Sequence, residues 1–224
     1  MSRESRPLKN AVYRQIARAG KAASSPCRLE ILDLLAQGPR TVEAIAVEVE
    51  QSLANTSQHL RVLHAARLVE SEKKGLHVAY RLASDEVRSF ALSLRAVAEA
   101  RLVEVDVAVR GFFVEQYGFE PVDRELLVAR IRKKDVTLLD VRPKEEFEAG
   151  HLPGALSIPL PELRRKLAAI PKSREIVAYC RGPYCVWAAD AVRSLRARGY
   201  RATRFDLGVA EWRERGLPIE VAGR

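Results

Sequence analysis

Apolar and polar positions follow one another along the chain in distinct rhythms. Between Ser25 and Pro39, the residues Leu29, Ile31, Leu32 and Leu35 recur at helical spacing and stop at Gly38-Pro39. Ser25 before Pro26 predicts the helix start, since a serine hydroxyl can cap free amides and proline is harmless at the first helical position. Thr41 opens a second short helix with Val42, Ile45, Ala46 and Val49 apolar. Ser52 opens a third, with Leu53, Leu60 and Leu63 predicted inward and Asn55, Ser57, Gln58 and Arg61 outward. Partial two-residue alternation then takes over in Leu68–Lys73 and Leu76–Leu82, two predicted strands joined by a tight turn at Lys74-Gly75. Three short helices followed by a basic-tipped hairpin predict a winged helix-turn-helix, mainly α with a β-hairpin wing.

Residues 84–117 form one amphipathic stretch in which Val87, Phe90, Leu94, Val97, Leu102, Val105 and Val109 keep helical spacing. Such a face suits either packing on its own domain or pairing with a second copy. The segment Tyr117-Gly118-Phe119-Glu120-Pro121 breaks the pattern. Beyond it, ELLVARIRKK, VTLLDVR, ELRRKLAAI, EIVAYC, VWAADAVRSLRARG and YRATRFD alternate helix and strand, which predicts an α/β domain with a largely parallel sheet. The expected division is 1–83, DNA-binding; 84–117, dimerisation and linker helix; 118–224, α/β.

Composition adds bounds. At 224 residues, 47% hydrophobic and 30% charged, the chain has room for two ordinary globular domains. No window approaches about eighteen uncharged apolar residues, and MSRESRPLKN is a polar start, so neither a membrane span nor export is expected and the cytoplasm is. The net charge of +9 suits a polyanion, but residues 1–82 carry 13 Lys and Arg against 8 Asp and Glu, and residues 118–224 carry 21 against 15. Charge therefore does not say which half meets DNA; the helix pattern does. In double-stranded DNA the third helix would enter the major groove, where Asn and Gln pair with adenine edges and small hydroxyls allow close approach. Candidates for that face are Ser52, Asn55, Thr56, Ser57, Gln58, His59 and Arg61, with Arg61, Lys73 and Lys74 of the wing neutralising phosphates.

The run TSQHLRVLHAARLV followed by the hairpin resembles the ArsR/SmtB family of bacterial winged-helix repressors, over roughly residues 10–110. The resemblance implies an operator-binding homodimer built through the 84–117 helix. Two departures stand out. Arg67 occupies a position where the family usually has glycine, and VEAIAVEVE lacks the cysteine pair of the arsenic and cadmium sensors, so no thiolate metal site is expected there.

Two of the three cysteines, Cys180 and Cys185, lie five positions apart in AYCRGPYCVWAAD, at the carboxyl end of a predicted strand and just before a helix. Ligand sites of open α/β sheets lie at such ends. Amides of the turn and helix start, with Arg181 as an adjacent cation, are expected to acidify Cys180 and make it nucleophilic. A zinc site would need two further ligands, and only His151 is near in sequence. Thioredoxin-type chemistry needs two intervening residues rather than four. The cysteine-dependent phosphatases need an arginine six positions on, where Val186 stands.

LLDVRPKEEFEAGHLPGALSIPL, IVAYCRGPYC and GVAEWRERGLPI, in that order, are similar to a rhodanese over residues 120–224. The resemblance implies that Cys180 takes a sulfur from a sulfane donor, holds it as a persulfide among the amides of Arg181, Gly182, Pro183, Tyr184 and Cys185 apart from the proline, and yields it to a thiol acceptor. Asp140 and Arg142 match the family's DVR step as a loop-buttressing or purely structural pair, and His151 reads as structural. Cys185 stands where thiosulfate-type members often carry arginine; it is either a packed loop-end residue or a thiol that resolves Cys180 into a bridge. Cys27 reads as structural. The reading that joins both halves is a DNA-binding regulator that senses or transfers sulfane sulfur. Its rivals are a sulfurtransferase dimerised by the helix-turn-helix and a regulator with a non-catalytic rhodanese module. No cofactor or metal is called for.

Overall fold

The computed structural model describes residues 5–75, 77–119, 122–167 and 172–222, with Ser5 and Lys74 as backbone only. Leu76 of the predicted wing, Glu120-Pro121 of the predicted break and residues 168–170 of a predicted helix lie outside the described residues. The chain forms two compact units, Met1–Ser93 and Leu94–Arg224. Among the described residues no helix is long and apolar enough to cross a membrane.

The first unit opens with α1 (Ser5–Ala23), which was not among the predicted elements although Leu8, Val12 and Ile16 stand at helical spacing. Then come α2 (Pro26–Leu35), β1 (Arg40–Thr41), α3 (Val42–Glu48), α4 (Leu53–Ala65), β2 (Val69–Lys74) and β3 (His77–Leu82). Pro26 takes the first helical position of α2 as expected, but the Ser25 hydroxyl makes no capping hydrogen bond. Thr41 and Ser52 do cap: their side chains accept from the Ala44 amide at 3.3 Å and the Asn55 amide at 3.2 Å. A core of Ile31, Leu32, Ile45, Leu60 and Leu63 joins the helices. Leu53 was predicted inward and is 53% exposed; as the first residue of α4 it precedes the inward stripe, which runs Thr56, Leu60, Leu63 at helical spacing.

Arg67 follows α4 with φ +59, the left-handed region where a helix commonly closes on glycine. That backbone accounts for glycine at the corresponding family position, and the amides of Arg67 and Leu68 close the helix on the carbonyls of His64 and Leu63. The wing pairs Val69 with Leu82 through to Lys74 with His77, and Gly75 turns it at φ +62. The short β1 adds a third antiparallel strand to the edge of β3.

Residues 84–117 are not one helix. α5 spans Asp85–Arg101, Leu102 is extended, α6 spans Val103–Arg110 and a π-helical stretch covers Gly111–Gln116. In the second unit, Asp123 caps α7 (Arg124–Arg132) by accepting from the amides of Glu125 and Leu126, both at 3.0 Å. There follow β4 (Thr137–Asp140), α8 (Lys144–Ala149), β5 (Leu156–Ser157), α9 (Leu163–Lys166), β6 (Ile176–Tyr179), α10 (Trp187–Arg196), β7 (Ala202–Arg204) and α11 (Val209–Glu214). The sheet order is β5-β4-β6-β7 and every pair is parallel. Alternate residues serve opposite faces. Leu139, Ile176, Ala178 and Cys180 pack with α10, while Leu138, Val177 and Tyr179 pack with α7 and α11.

Candidate functional site

On α4 the caps and the inward stripe together decide which side chains face out. Ser52, Asn55, Gln58 and Arg61 are exposed, Ser57 and His59 are partly so, and Lys73 is exposed on the wing. The Asn55 amide group donates to Gln51. Thr56 is corrected: it is fully buried, on the stripe with Leu60 and Leu63, and its hydroxyl has no hydrogen-bond partner. It sits among core leucines and cannot present itself to a base edge. Cys27, in the first turn of α2, is partly buried. Burial, then the nearby Glu30, pushes its thiol above the ordinary range, the opposite of what a nucleophile needs.

In the second unit β6 ends at Tyr179 and Cys180 follows at once, 1% exposed on the α10 face of the sheet. Helix α10 begins two residues beyond Cys185. Cys180 and Cys185 are joined as a disulfide, with their Cα atoms 6.2 Å apart. The loop is therefore seen in its oxidised state, in which neither sulfur is a nucleophile. Within it the Cys185 amide donates to the Gly182 carbonyl at 3.3 Å, so this amide does not belong to an anion cradle in this state.

Arg181 is a second correction. Its guanidinium holds the buried Glu146 carboxylate of α8, with Nε and Nη2 3.0 and 2.7 Å from Oε1, and lies over the Trp187 ring at 4.4 Å. Its charge is matched there and is not a free cation for the sulfur. Nothing in the spacing of PKEEFEAGH identified Glu146 as that partner; only the packing of α8 brings it in.

Asp140 and Arg142 do pair, both wholly buried, with Nη2 to Oδ2 at 2.6 Å and Nε to Oδ1 at 3.0 Å. Arg142 also donates to the Gly150 carbonyl at 2.7 Å, and the Tyr179 hydroxyl accepts from the Leu152 amide at 3.1 Å. Burial, then the neighbouring Asp140 charge, drives the Tyr179 hydroxyl well above its usual range, so it stays neutral. The pair braces the 150–152 segment and the residue before Cys180 rather than touching the cysteine loop. His151 is structural in the same frame: its ring stacks on Phe147 at 3.6 Å, and Nδ1 lies 2.8 Å from the Phe147 carbonyl.

The loop's outer side is held by residues that sequence reasoning passed over. Glu211 Oε2 accepts from the Gly208 amide at 2.8 Å, and its other oxygen pairs with Arg95 of α5. Gly182 has φ +146, and a Cβ there would lie 2.9 Å from Glu211 Oε1. A Cβ on Gly208 would lie 2.5 Å from the Arg181 carbonyl oxygen, so glycine is required where this turn meets the loop. Tyr184 donates to Glu99 of α5 at 2.7 Å, and the Arg204 guanidinium donates to the Pro183 carbonyl. Glu211 lies in the GVAEW block, so its position was legible and its role was not. Among the described residues no cluster of three or more His, Cys, Asp or Glu is placed to hold a metal ion.

Comparison with known proteins agrees with both units. Residues 25–71 match the family described as bacterial regulatory protein, arsR family, and residues 123–215 match the rhodanese-like domain. The chain is 46% identical over 213 residues to the HTH-type transcriptional regulator Rv0324 of Mycobacterium tuberculosis, covering 95% of this chain and 93% of that protein. It is 35% identical over 100 residues to a sulfurtransferase of Allochromatium vinosum, covering 44% of this chain and 92% of that one. Among solved structures, a homodimeric winged helix-turn-helix DNA-binding domain from Mycobacterium bovis is 38% identical, covering 46% of this chain and 91% of its own, with a TM-score of 0.41.

Proposed function

Since the chain belongs to the ArsR family of helix-turn-helix transcriptional regulators and carries a rhodanese-like domain, we propose that it binds operator DNA as a cytoplasmic homodimer whose affinity follows the sulfur state of Cys180 and Cys185. The observation that carries this reading is the cysteine loop itself. Its two sulfurs are within bonding reach, and its outer side is tied to α5 through Tyr184–Glu99 and Glu211–Arg95. Helix α5 starts at Asp85, three residues after the wing strand ends, and its Val87 packs in the core of the helical unit.

The chemistry runs in two displacements. The Cys180 thiolate attacks the outer sulfur of a sulfane donor RS–SH; the donor's S–S bond breaks, RS⁻ leaves, and Cys180 carries a persulfide. The Cys185 thiolate then attacks Cys180 Sγ, hydrosulfide leaves with the bonding pair, and the Cys180–Cys185 bridge forms. Two electrons pass from the cysteines to the transferred sulfur. An acceptor thiol that reaches the persulfide first would take the sulfur instead.

The dimer reading rests on apolar surface that a single chain leaves open: Leu8, Val12 and Ile16 along one side of α1, and Leu94, Val97 and Leu102 on and just after α5. Leu94→Glu with Leu102→Glu is expected to give monomers by sedimentation that no longer protect an operator. An intact dimer in that variant would overturn this assembly.

Operator titration with and without a polysulfide donor tests the sensing. The donor is expected to shift affinity by about 5–150-fold, the usual range of a coupling between sites. Mass spectrometry should show an added ~32 Da, one sulfur atom, on Cys180 when Cys185 is replaced by serine, and Cys180→Ser should abolish both responses. Unchanged operator affinity alongside steady turnover of thiosulfate or 3-mercaptopyruvate would favour the second reading, a sulfurtransferase, which the likeness to the Allochromatium enzyme supports.

A further inference from the structure

The second unit holds a cavity of about 630 Å³, lined in part by Val109, Phe113, Phe119, Leu127 and the start of α7. Its volume falls in the ~300–1,000 Å³ range of small-molecule sites. The Phe113, Phe119 and Leu127 side chains that line it are buried, while Val122 and Leu126 are 42% and 60% exposed. Five arginines and four carboxylates complete the lining. Three of those arginines are matched. Arg110 holds Asp106 at 2.9 Å, Arg130 holds Glu175 at 2.8 Å, and Arg124 grips Asp206 through Nε and Nη2 at 2.9 and 2.7 Å. The fourth carboxylate, Asp123, accepts the amides of the α7 cap.

Arg196 and Arg204 are left with no carboxylate partner among the described residues. Arg196 donates to the Ala202 carbonyl at 2.8 Å and lies over Phe119 at 5.1 Å. Arg204 lies over Phe113 at 3.8 Å and donates to the Pro183 carbonyl, and its Nε is buried with no hydrogen-bond partner. Burial lowers its pKa to about 10. Asp206 opposes that fall, and Arg124, which engages Asp206, adds to it. A partly buried guanidinium with only a carbonyl, a ring face and the shared charge of Asp206 beside it is undercompensated. Its undercompensated charge and the neighbouring aromatic floor describe the complement that is missing.

We propose that this cavity binds a small organic anion, a carboxylate on an aromatic or compact aliphatic body, with Arg204 and Arg196 as its cationic contacts and Phe113 and Phe119 against its apolar part. The planar carboxylate suits guanidinium donors better than a spherical ion does. The apolar lining separates this site from one for inorganic phosphate or sulfate. The site does not depend on the sulfur chemistry of Cys180, although Arg204 is shared between the cavity and the cysteine loop.

The test is calorimetric titration of the full chain with benzoate, cyclohexanecarboxylate and the neutral isostere benzamide. Saturable binding of a carboxylate is expected, with benzamide weaker by about tenfold or more, the scale of one charge-assisted contact. Arg204→Gln should lower benzoate affinity by a similar factor, and Arg165→Gln, at an exposed arginine outside the cavity, should not. The proposal fails if neither carboxylate binds saturably, or if benzamide binds as well as benzoate. It fails equally if an Arg204→Gln variant with unchanged circular dichroism keeps full benzoate affinity. Should that variant not fold, the benzoate and benzamide comparison on the unaltered chain decides.

Discussion

The outer face of α4 and the loop from Cys180 to Cys185 are both candidate sites, yet they are built in opposite ways. The α4 face is local. Ser52 caps the helix, Leu60 and Leu63 anchor it, and Asn55, Gln58 and Arg61 stand in solvent without being needed by the core. The cysteine loop is held from outside itself: Glu146 of α8 takes up Arg181, Glu211 of α11 fills the space beside Gly182, and α5 and β7 supply Glu99 and Arg204. Residues serving the first site can be changed with little effect on the fold, whereas those serving the second are part of it.

The largest effect is expected where support and fold coincide. Arg142→Ala leaves Asp140 as an uncompensated charge at a fully buried position, and breaking such a pair destabilises by about 3–5 kcal/mol. Denaturant unfolding should show that loss in the second unit while operator binding by the first unit persists in whatever fraction stays folded. A loss within about 0.5 kcal/mol, the size of an ordinary surface substitution, would erase the distinction between the two sites.

Gln58→Ala on the exposed side of α4 is expected to weaken binding to the specific operator by about 1–3 kcal/mol. Its unfolding midpoint should hardly move. Lys73→Ala should instead weaken all DNA sequences alike and flatten the dependence on salt. If Gln58→Ala altered stability and left sequence preference intact, α4 would be a scaffold rather than a reading helix.

The smallest effect is expected at Thr56. Replacing its unpartnered buried hydroxyl with the isosteric valine, Thr56→Val, removes a group that gains nothing from burial. Stability should stay level or rise by up to about 1 kcal/mol, and operator affinity should be unchanged. A marked loss of affinity would show that this side chain reaches DNA and that the inward stripe of α4 has been misplaced.

Much was legible because it rests on short-range rules. Proline at the start of α2, the Thr41 and Ser52 caps, the hairpin turning at Gly75 and the strand ending just before Cys180 all follow from spacing and local backbone preference. The block GVAEWRERGLPI could be placed, although the task of Glu211 could not. Where local rules misled, the cause was one turn of a helix: Leu53 begins α4 ahead of its inward stripe, and Thr56 falls on it. Helix α1 was legible in the spacing of Leu8, Val12 and Ile16 but was not predicted, while the break at Leu102 has no capping side chain to announce it.

Amino-acid order by itself determined the two-part architecture, the exposed polar side of α4 and the cysteine at a strand end, because periodicity, caps and turn residues act over a few positions. Tertiary structure alone decided the electrostatics. Arg181 looked like a free cation beside a thiol until α8 brought Glu146 against it, and Arg204, which no pattern in YRATRFD singled out, lies against Phe113 and donates to Pro183. The state of a charge depends on which partner and how much water lie within a few ångströms, and residues far apart in the chain supply both.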